Sequence, residues 1–566
     1  MNLFLTIMAL LFPLLAGYGI YGFFLKKFLS LNDVQKTPAH VLRDDVDFEP
    51  AGKFYLFGQH VSAIAAAGPI VGPILAGMWF GWLPAALWIV LGGIFIGGVH
   101  DLTTLVASVR HQGKSIAEIV KENMSRKTFV LFLIFLWISL MYVITAFTDI
   151  TAGTFAEPVN GGKVASSSMM YLGLAVLMGF IVQKFKPDLK LLTVIFIPLV
   201  MVCIYLGGIF PLKLSAFFGM KASLLWSMLL MGYCFIASVV PVWVLLQPRG
   251  YLGGFFLTVT VLVSFAGIAL GSWNNGLRVE FPAFISWHNP SGLSLFPLLF
   301  TTIACGACSG FHALVSSGTT SKQLDKETDA KLVGYGSMLF ESAVAIIALG
   351  TLMMLGPTEL QNFKEPNMIY ANGIATFLNT LGINKDFAVS FALLAFATFI
   401  YDTLDVATRL GRYILEELLN WRNPWSPYVA AFLTLLLPCF FLVQKAAALQ
   451  GSSLADWRMF WTVFGSSNQL LAGFVLFTLS LWLYRQKMKF SYVLIPAVFM
   501  LVTSMVSLAI IIKPSLRNML SGKFVLNPLD ITAVILMGLS IWLLTDGLRT
   551  FTKNAFPLKE KNKNIS

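Results

Sequence analysis

Apolar stretches of about 20 residues, the length that crosses bilayer hydrocarbon as a helix, recur along the whole chain between short polar or basic connections. They predict about fifteen transmembrane helices. The spans lie near residues 3 to 25, 54 to 79, 82 to 109, 129 to 152, 167 to 183, 191 to 210, 223 to 246, 251 to 271, 295 to 319, 332 to 355, 386 to 414, 427 to 444, 460 to 484, 491 to 512 and 529 to 547. No polar block between them is large enough for a soluble domain, so residues 1–566 are expected to form a single all-α polytopic membrane domain. The first 25 residues have no basic start and no small-residue cleavage site, and are expected to stay as the first helix.

Two spans break the pattern. Gly68 to Gly77 reads GPIVGPILAG, with two Gly-Pro pairs four residues apart. Proline lacks an amide hydrogen and glycine tolerates unusual dihedrals, so the helix is expected to fail there and leave backbone groups unpaired. At membrane depth such groups are tolerated only against protein or a water-filled cavity, and transporters use broken helices of this kind to hold solutes and ions. The second is Ala304 to Gln323, ACGACSGFHALVSSGTTSKQ, dense in Gly, Ser and Thr. These residues allow either close helix packing or local unwinding. The two spans run in opposite directions, as an inverted repeat would place them.

Composition removes the soluble alternatives. The chain is 57% hydrophobic and only 12% charged, with a mean hydropathy of +0.78. The formal charge of +12 is a matter of topology rather than of nucleic-acid binding: of the 39 Lys and Arg residues, 28 follow odd-numbered spans and 11 follow even-numbered ones. Basic residues mark the cytoplasmic side, which predicts an outside N-terminus and a cytoplasmic C-terminus. Lys553, Lys559, Lys561 and Lys563 fit that side and lipid headgroups. The polar stretch from Ser30 to Lys53 is expected to be an ordered or semi-ordered cytoplasmic loop.

Ionisable groups inside the spans are expensive and mark function unless they are paired. They are His100 and Asp101, His312, Glu341, and Asp402, Asp405, Arg409 and Arg412, with Asn468 and Gln469 as neutral polar company. Asp405 and Arg409 are four apart, on one helical face, and are candidates to pair. Alternatively Asp405 or Glu341 takes up and releases a proton as a cavity opens to either side. His312 is a candidate substrate contact or a buried histidine bonded to backbone; His60 fits packing better, and His100 beside Asp101 reads as a relay or a structural pair. The breaks around Gly68, Pro69, Gly72 and Pro73, and around Ser309 and Gly310, are expected to present amides to an anionic solute without a buried arginine. Sodium coupling is the alternative, with Thr403, Thr408 and carbonyls near Ala65 to Ala67 as ligands.

Other classes find little support. Cys305-Gly-Ala-Cys308 is formally a Cys-x-x-Cys pair but lacks the context of a thiol-disulfide enzyme. The other cysteines (Cys203, Cys234 and Cys439) read as packing residues. The six histidines show no paired ligand spacing for haem or metal, and no GxxxxGK[ST] loop is present for ATP. No cofactor is expected beyond the coupling ion.

The strings GPIVGPILAG, GVHDLTTLVASVRHQGKS, PVWVLLQPRGYL, ACGACSGFHALVSSGTTSKQ, GYGSMLFESAVAIIAL, DTLDVATRLGRYILEE and FGSSNQLLAG, in this order, resemble the carbon-starvation protein CstA family. The resemblance covers about residues 50–475, with additional C-terminal helices at about 490–548. It implies a bacterial inner-membrane permease related to the amino acid, polyamine and organocation superfamily, with a five-plus-five inverted repeat and uptake of peptides or of pyruvate, the latter driven by protons. Asp405, Thr408, Arg409, Glu341, His312 and the Gly-Pro pairs fit the family motifs; Gly250 and Asp402 depart from them. Together these readings predict a secondary active transporter, not an enzyme, importing a small carboxylate or short peptide with Asp405, Glu341, Thr408, Asp402 and Thr403 in ion coupling. A nutrient-sensing membrane protein is the alternative class. The lipid bilayer is the expected partner; a small accessory membrane protein and the oligomeric state stay open.

Overall fold

The computed structural model describes residues 1–44, 48–65, 67–185, 189–214, 221–241, 243–274, 276–360, 363, 365–421, 423–448, 457–521 and 528–555. Ala66, Asp45 to Asp47, and Lys559 to Lys563 fall outside them, as does the side chain of Lys553. The protein is helical, and 13 described helices are long and apolar enough to cross a membrane, or 14 if one bent pair counts as a span.

In chain order the main helices are α1 (Leu3–Phe28), α2 (Lys53–Ile64), α3 (Gly68–Phe80), α4 (Trp82–Arg110), α5 (Arg126–Ala156), α6 (Gly161–Phe185), α7 (Leu189–Ile209), α8 (Ala222–Val239) and α9 (Leu246–Asn274). They continue as α10 (Leu295–Thr302), α11 (Phe311–Gly318), α12 (Ser337–Met353), α13 (Pro366–Asn379), α14 (Lys385–Leu419), α15 (Ser426–Ala448), α16 (Trp457–Arg485), α17 (Ser491–Leu520) and α18 (Pro528–Ala555). The expected count of about fifteen differs from 13 or 14 only at the interrupted segments. The bent pair is α2 with α3; α10 and α11 have eight residues each, too short to register as one span. Hydropathy gave no warning of α13, a buried 14-residue helix between two expected spans that is too short to cross.

Two sets of contacts tie the two ends of the bundle. On the face that carries the N-terminus, Asn2 bridges Arg278, and the amides of Glu280 and Phe281 bond the Met353 carbonyl at 2.9 and 3.0 Å. On the opposite face the connection after α1 lies across the segment that follows α11. Asp33 accepts from the Thr328 amide and hydroxyl at 3.0 and 2.8 Å, His40 pairs with Asp325 at 2.8 Å, and Arg110 pairs with Glu327 at 2.6 Å. The described part of this loop is thus ordered against the protein.

The first break is displaced from its expected place. Between α2 and α3 the axis bends by 49°, but α2 ends at Ile64 and GPIVGPILAG forms the opening turns of α3 from Gly68. Pro69 occupies the first turn, where a missing amide costs no hydrogen bond, so the first Gly-Pro pair starts a half-helix instead of dissolving one, and Pro73 of the second lies inside that helix. Their glycines serve close approach. A Cβ on Gly68 would lie 2.3 Å from Cys305 Cβ, and one on Gly72 would lie 2.6 Å from the Thr302 carbonyl oxygen.

The second span is interrupted over residues 303–310, where Gly306 has φ +85°, a left-handed value that glycine adopts freely. Its exposed backbone groups are met by side chains, as membrane depth demands. Trp461 and Trp88 donate to the carbonyls of Thr302 and Ile303, each at 3.1 Å. Ser342 donates to the Gly306 carbonyl at 2.8 Å. The Gly310 and Phe311 amides donate to the backbone and side-chain oxygens of Asn468 at 3.2 and 3.0 Å. The two interrupted spans therefore meet inside the bundle, glycine against backbone.

Candidate functional site

Four ionisable side chains converge beside the second break, all fully buried. His312, in the first turn of α11, has Nδ1 2.8 Å from Asp101 Oδ2. His100 Nδ1 lies 2.8 Å from the other oxygen of the same carboxylate. On its far side His312 Nε2 stands 3.3 Å from Glu341 Oε2 of α12, close but without hydrogen-bond alignment. The remaining oxygen of Glu341 accepts from the Gly306 amide at 3.2 Å. Two carboxylates and two imidazoles can be balanced by protons alone. His60 stays apart from this chain, with Nδ1 2.8 Å from the Thr320 hydroxyl.

A second buried cluster attaches to the first break. Arg249, near the start of α9, has a side chain with 0% exposure; its Nε donates to Asp402 Oδ1 at 2.7 Å, and one terminal nitrogen lies 2.7 Å from Asp405 Oδ2. Its other terminal nitrogen donates to the Tyr233 hydroxyl, which itself donates to Asp405 Oδ2 at 2.9 Å. Asp402 and Asp405 are three apart on α14 and so share one face. The free oxygen of Asp402 accepts from Ser62 Oγ at 2.9 Å, and Ser62 stands three residues before the interruption.

The expected Asp405–Arg409 pair does not form. Arg409 turns to the end of α8 and donates to the carbonyls of Ala237 and Val240, both at 2.6 Å, while Asp405 takes Arg249. Same-face spacing allowed the pair, but carbonyls left over at a helix end are strong acceptors for a guanidinium. Arg249 is a buried arginine absent from the candidate set, and its acidic partners are Asp402 and Asp405.

The remaining candidates divide between the junction and α14. Gly68, Pro69 and Gly72 of α3 lie against Cys305, Gly306 and Thr302 and Pro73 is buried within α3; Ser309 is bonded to Asn468 at 3.0 Å and the Gly310 amide is occupied as described. In this conformation the Gly310 and Phe311 amides are committed to Asn468. Thr403 and Thr408 bond back to the Phe399 and Leu404 carbonyls at 3.3 and 2.8 Å. Cys305 and Cys308 are separate free thiols, both buried. Among the described residues no group of three or more His, Cys, Asp and Glu is placed to hold a metal ion.

The profile of the family described as "Carbon starvation protein CstA" matches residues 1–370 and 355–507. The chain belongs to the CstA family. It is 34% identical over 562 residues to the peptide transporter CstA of Campylobacter jejuni, covering 86% of this chain and 77% of that one. It is 30% identical over 574 residues to the pyruvate/proton symporter BtsT of Escherichia coli, covering 86% and 78%. The solved structure of MhsT in complex with L-phenylalanine aligns over 81% of this chain and 98% of its own with a TM-score of 0.50 at 13% identity, a likeness of fold alone. This CstA-family chain is a multi-pass membrane transporter and not an enzyme.

Proposed function

We propose that the protein is a proton-coupled secondary active transporter that imports a small carboxylate such as pyruvate, or short peptides, by alternating access. One observation carries this reading: each interrupted span is hydrogen-bonded to a buried carboxylate of a charge cluster, Asp402 through Ser62 at 2.9 Å and Glu341 through Gly306 at 3.2 Å. Protonating a carboxylate in such a cluster removes a charge that its neighbours are arranged to meet. The affinity of the two broken helices for their surroundings then depends on proton occupancy, which is what coupling requires.

Asp405 is the principal coupling group in this reading. It and Asp402 share one guanidinium, and with both ionised the cluster carries one negative charge more than Arg249 offsets. A buried excess charge is costly, so the cluster favours one proton or one added cation. Arg249 already supplies a fixed positive charge at Asp402, the carboxylate joined to the first break. That favours a proton over sodium. The names of the relatives, a peptide transporter and a pyruvate/proton symporter, agree with both substrate classes and with the proton.

The reading includes a five-plus-five repeat around the two breaks, residence in a bacterial inner membrane, and an outside N-terminus from the distribution of basic residues. Solute contact falls to the junction of Gly68, Gly72, Ser309, Gly310 and His312 once the two spans part. Purified protein in sealed vesicles tests it: labelled pyruvate or dialanine should accumulate under an acid-outside gradient whether or not sodium is present. Absence of uptake under every gradient would remove the reading, and strict sodium dependence would move the coupling away from Asp405.

A further inference from the structure

A cavity of about 310 Å³ opens on the face that carries the N-terminus and reaches inward to Val71, the neighbour of Gly72 on α3. Its volume is at the lower end of the range for sites that enclose drug-sized molecules, and far more than a three-carbon acid fills. Lys445 of α15 and Asp149 of α5 form an ion pair across its polar wall at 2.5 Å, and Glu157 and Glu365 add two further carboxylates. Deeper in, Asn367 of α13 donates to the Thr154 hydroxyl at 2.8 Å.

We propose that this cavity is a solute site distinct from the junction of the broken helices, and that the Lys445–Asp149 pair clamps a zwitterion. The solute carboxylate meets the Lys445 ammonium and the solute ammonium meets Asp149, so that one ion pair becomes two without stranding either charge. A solute without an ammonium that takes Lys445 leaves Asp149 without its lysine and offers it nothing in exchange. The site therefore selects a small amino-bearing acid or short peptide over a monocarboxylate. It rests on the transport reading only for its role as the vestibule of the path toward Val71 and the first break.

Equilibrium binding without any gradient tests the site separately from transport, with purified full-length protein in nanodiscs and dialanine, N-acetyl-dialanine and pyruvate as probes. Dialanine should bind about tenfold or more tightly than either of the others, the value of one charged hydrogen bond. Asp149→Asn should remove the preference for dialanine over its acetylated form. Gly153→Leu gives an arm that does not depend on buried charge: Gly153 lines the cavity and a Cβ there meets nothing within 4 Å, so leucine fills the space while the fold keeps its melting temperature. Dialanine affinity should then fall about tenfold or more. Equal affinity for pyruvate and dialanine, a preference unchanged in Asp149→Asn, or wild-type binding in a folded Gly153→Leu protein would each overturn the proposal. Binding with this selectivity but no accumulation under any gradient would keep the site and remove the transport reading instead.

Discussion

The two buried charge clusters sit one on each interrupted span, yet their carboxylates are held by different chemistry. At the second break Asp101 is flanked by His100 and His312 at 2.8 Å on either side, partners that can gain or lose a proton. At the first break Asp402 and Asp405 share Arg249, a cation that does not deprotonate in proteins. The histidine cluster can rearrange its protons and remain neutral. The arginine cluster cannot, because its fixed charge meets two carboxylates and leaves one over. The difference assigns proton exchange among its own members to the second break, and to the first a fixed counter-charge whose spare carboxylate, Asp405 in the transport reading, takes its proton from outside the cluster.

Arg249→Met should show the contrast most strongly. It strands two buried carboxylates, and breaking a buried pair in this way costs about 3–5 kcal/mol, visible as a large fall in melting temperature in detergent. Adding Asp402→Asn and Asp405→Asn to the same protein should return most of that stability but no coupled uptake. An unchanged melting temperature in the single variant would mean that Arg249 is not the counter-charge.

Gly72→Leu comes next, because it acts where the two breaks touch. Its Cβ alone would approach the Thr302 carbonyl oxygen to 2.6 Å, and overpacking of this kind costs about 1–3 kcal/mol. Loss of uptake with a lowered melting temperature is expected; wild-type stability and transport would contradict the junction. His312→Gln should cost less than Arg249→Met, roughly 1–3 kcal/mol for an unmet buried partner, since Asp101 keeps His100. A destabilisation as large as that of Arg249→Met would erase the distinction between the clusters. Smallest of all, replacing both Cys305 and Cys308 by Ser should leave uptake largely intact. Complete loss would restore the thiol reading.

Much of this was legible in the chain because bilayer physics writes plainly: runs of about 20 apolar residues have few alternatives to a spanning helix. The two interrupted spans were legible as well, from Gly-Pro pairs and a Gly-Ser density that suit unwinding or close helix approach, both of which the structure uses. Where the first helix stops was not. Proline disfavours a helix interior but suits its first turn, and composition does not distinguish an end from a beginning. Arg249 escaped because it stands in PVWVLLQPRGYL beside a proline, where a basic residue reads as a connection between spans. A single arginine between two apolar runs, with Asp402 and Asp405 unmatched elsewhere, was the signal available. The Arg409 pairing failed for the complementary reason: spacing along a helix says which side chains share a face, not which neighbour competes for them. Cavity shape and the charges around it depend on four or more helices meeting, and no single stretch records that.

Asp405→Asn in sealed vesicles tests the central claim most directly, because it removes the spare negative charge at Arg249 while keeping the shape of the side chain. Labelled solute should no longer be concentrated by an acid-outside gradient, yet solute already inside should still exchange with solute outside. Undiminished concentration by the variant would contradict the assignment and place the proton elsewhere.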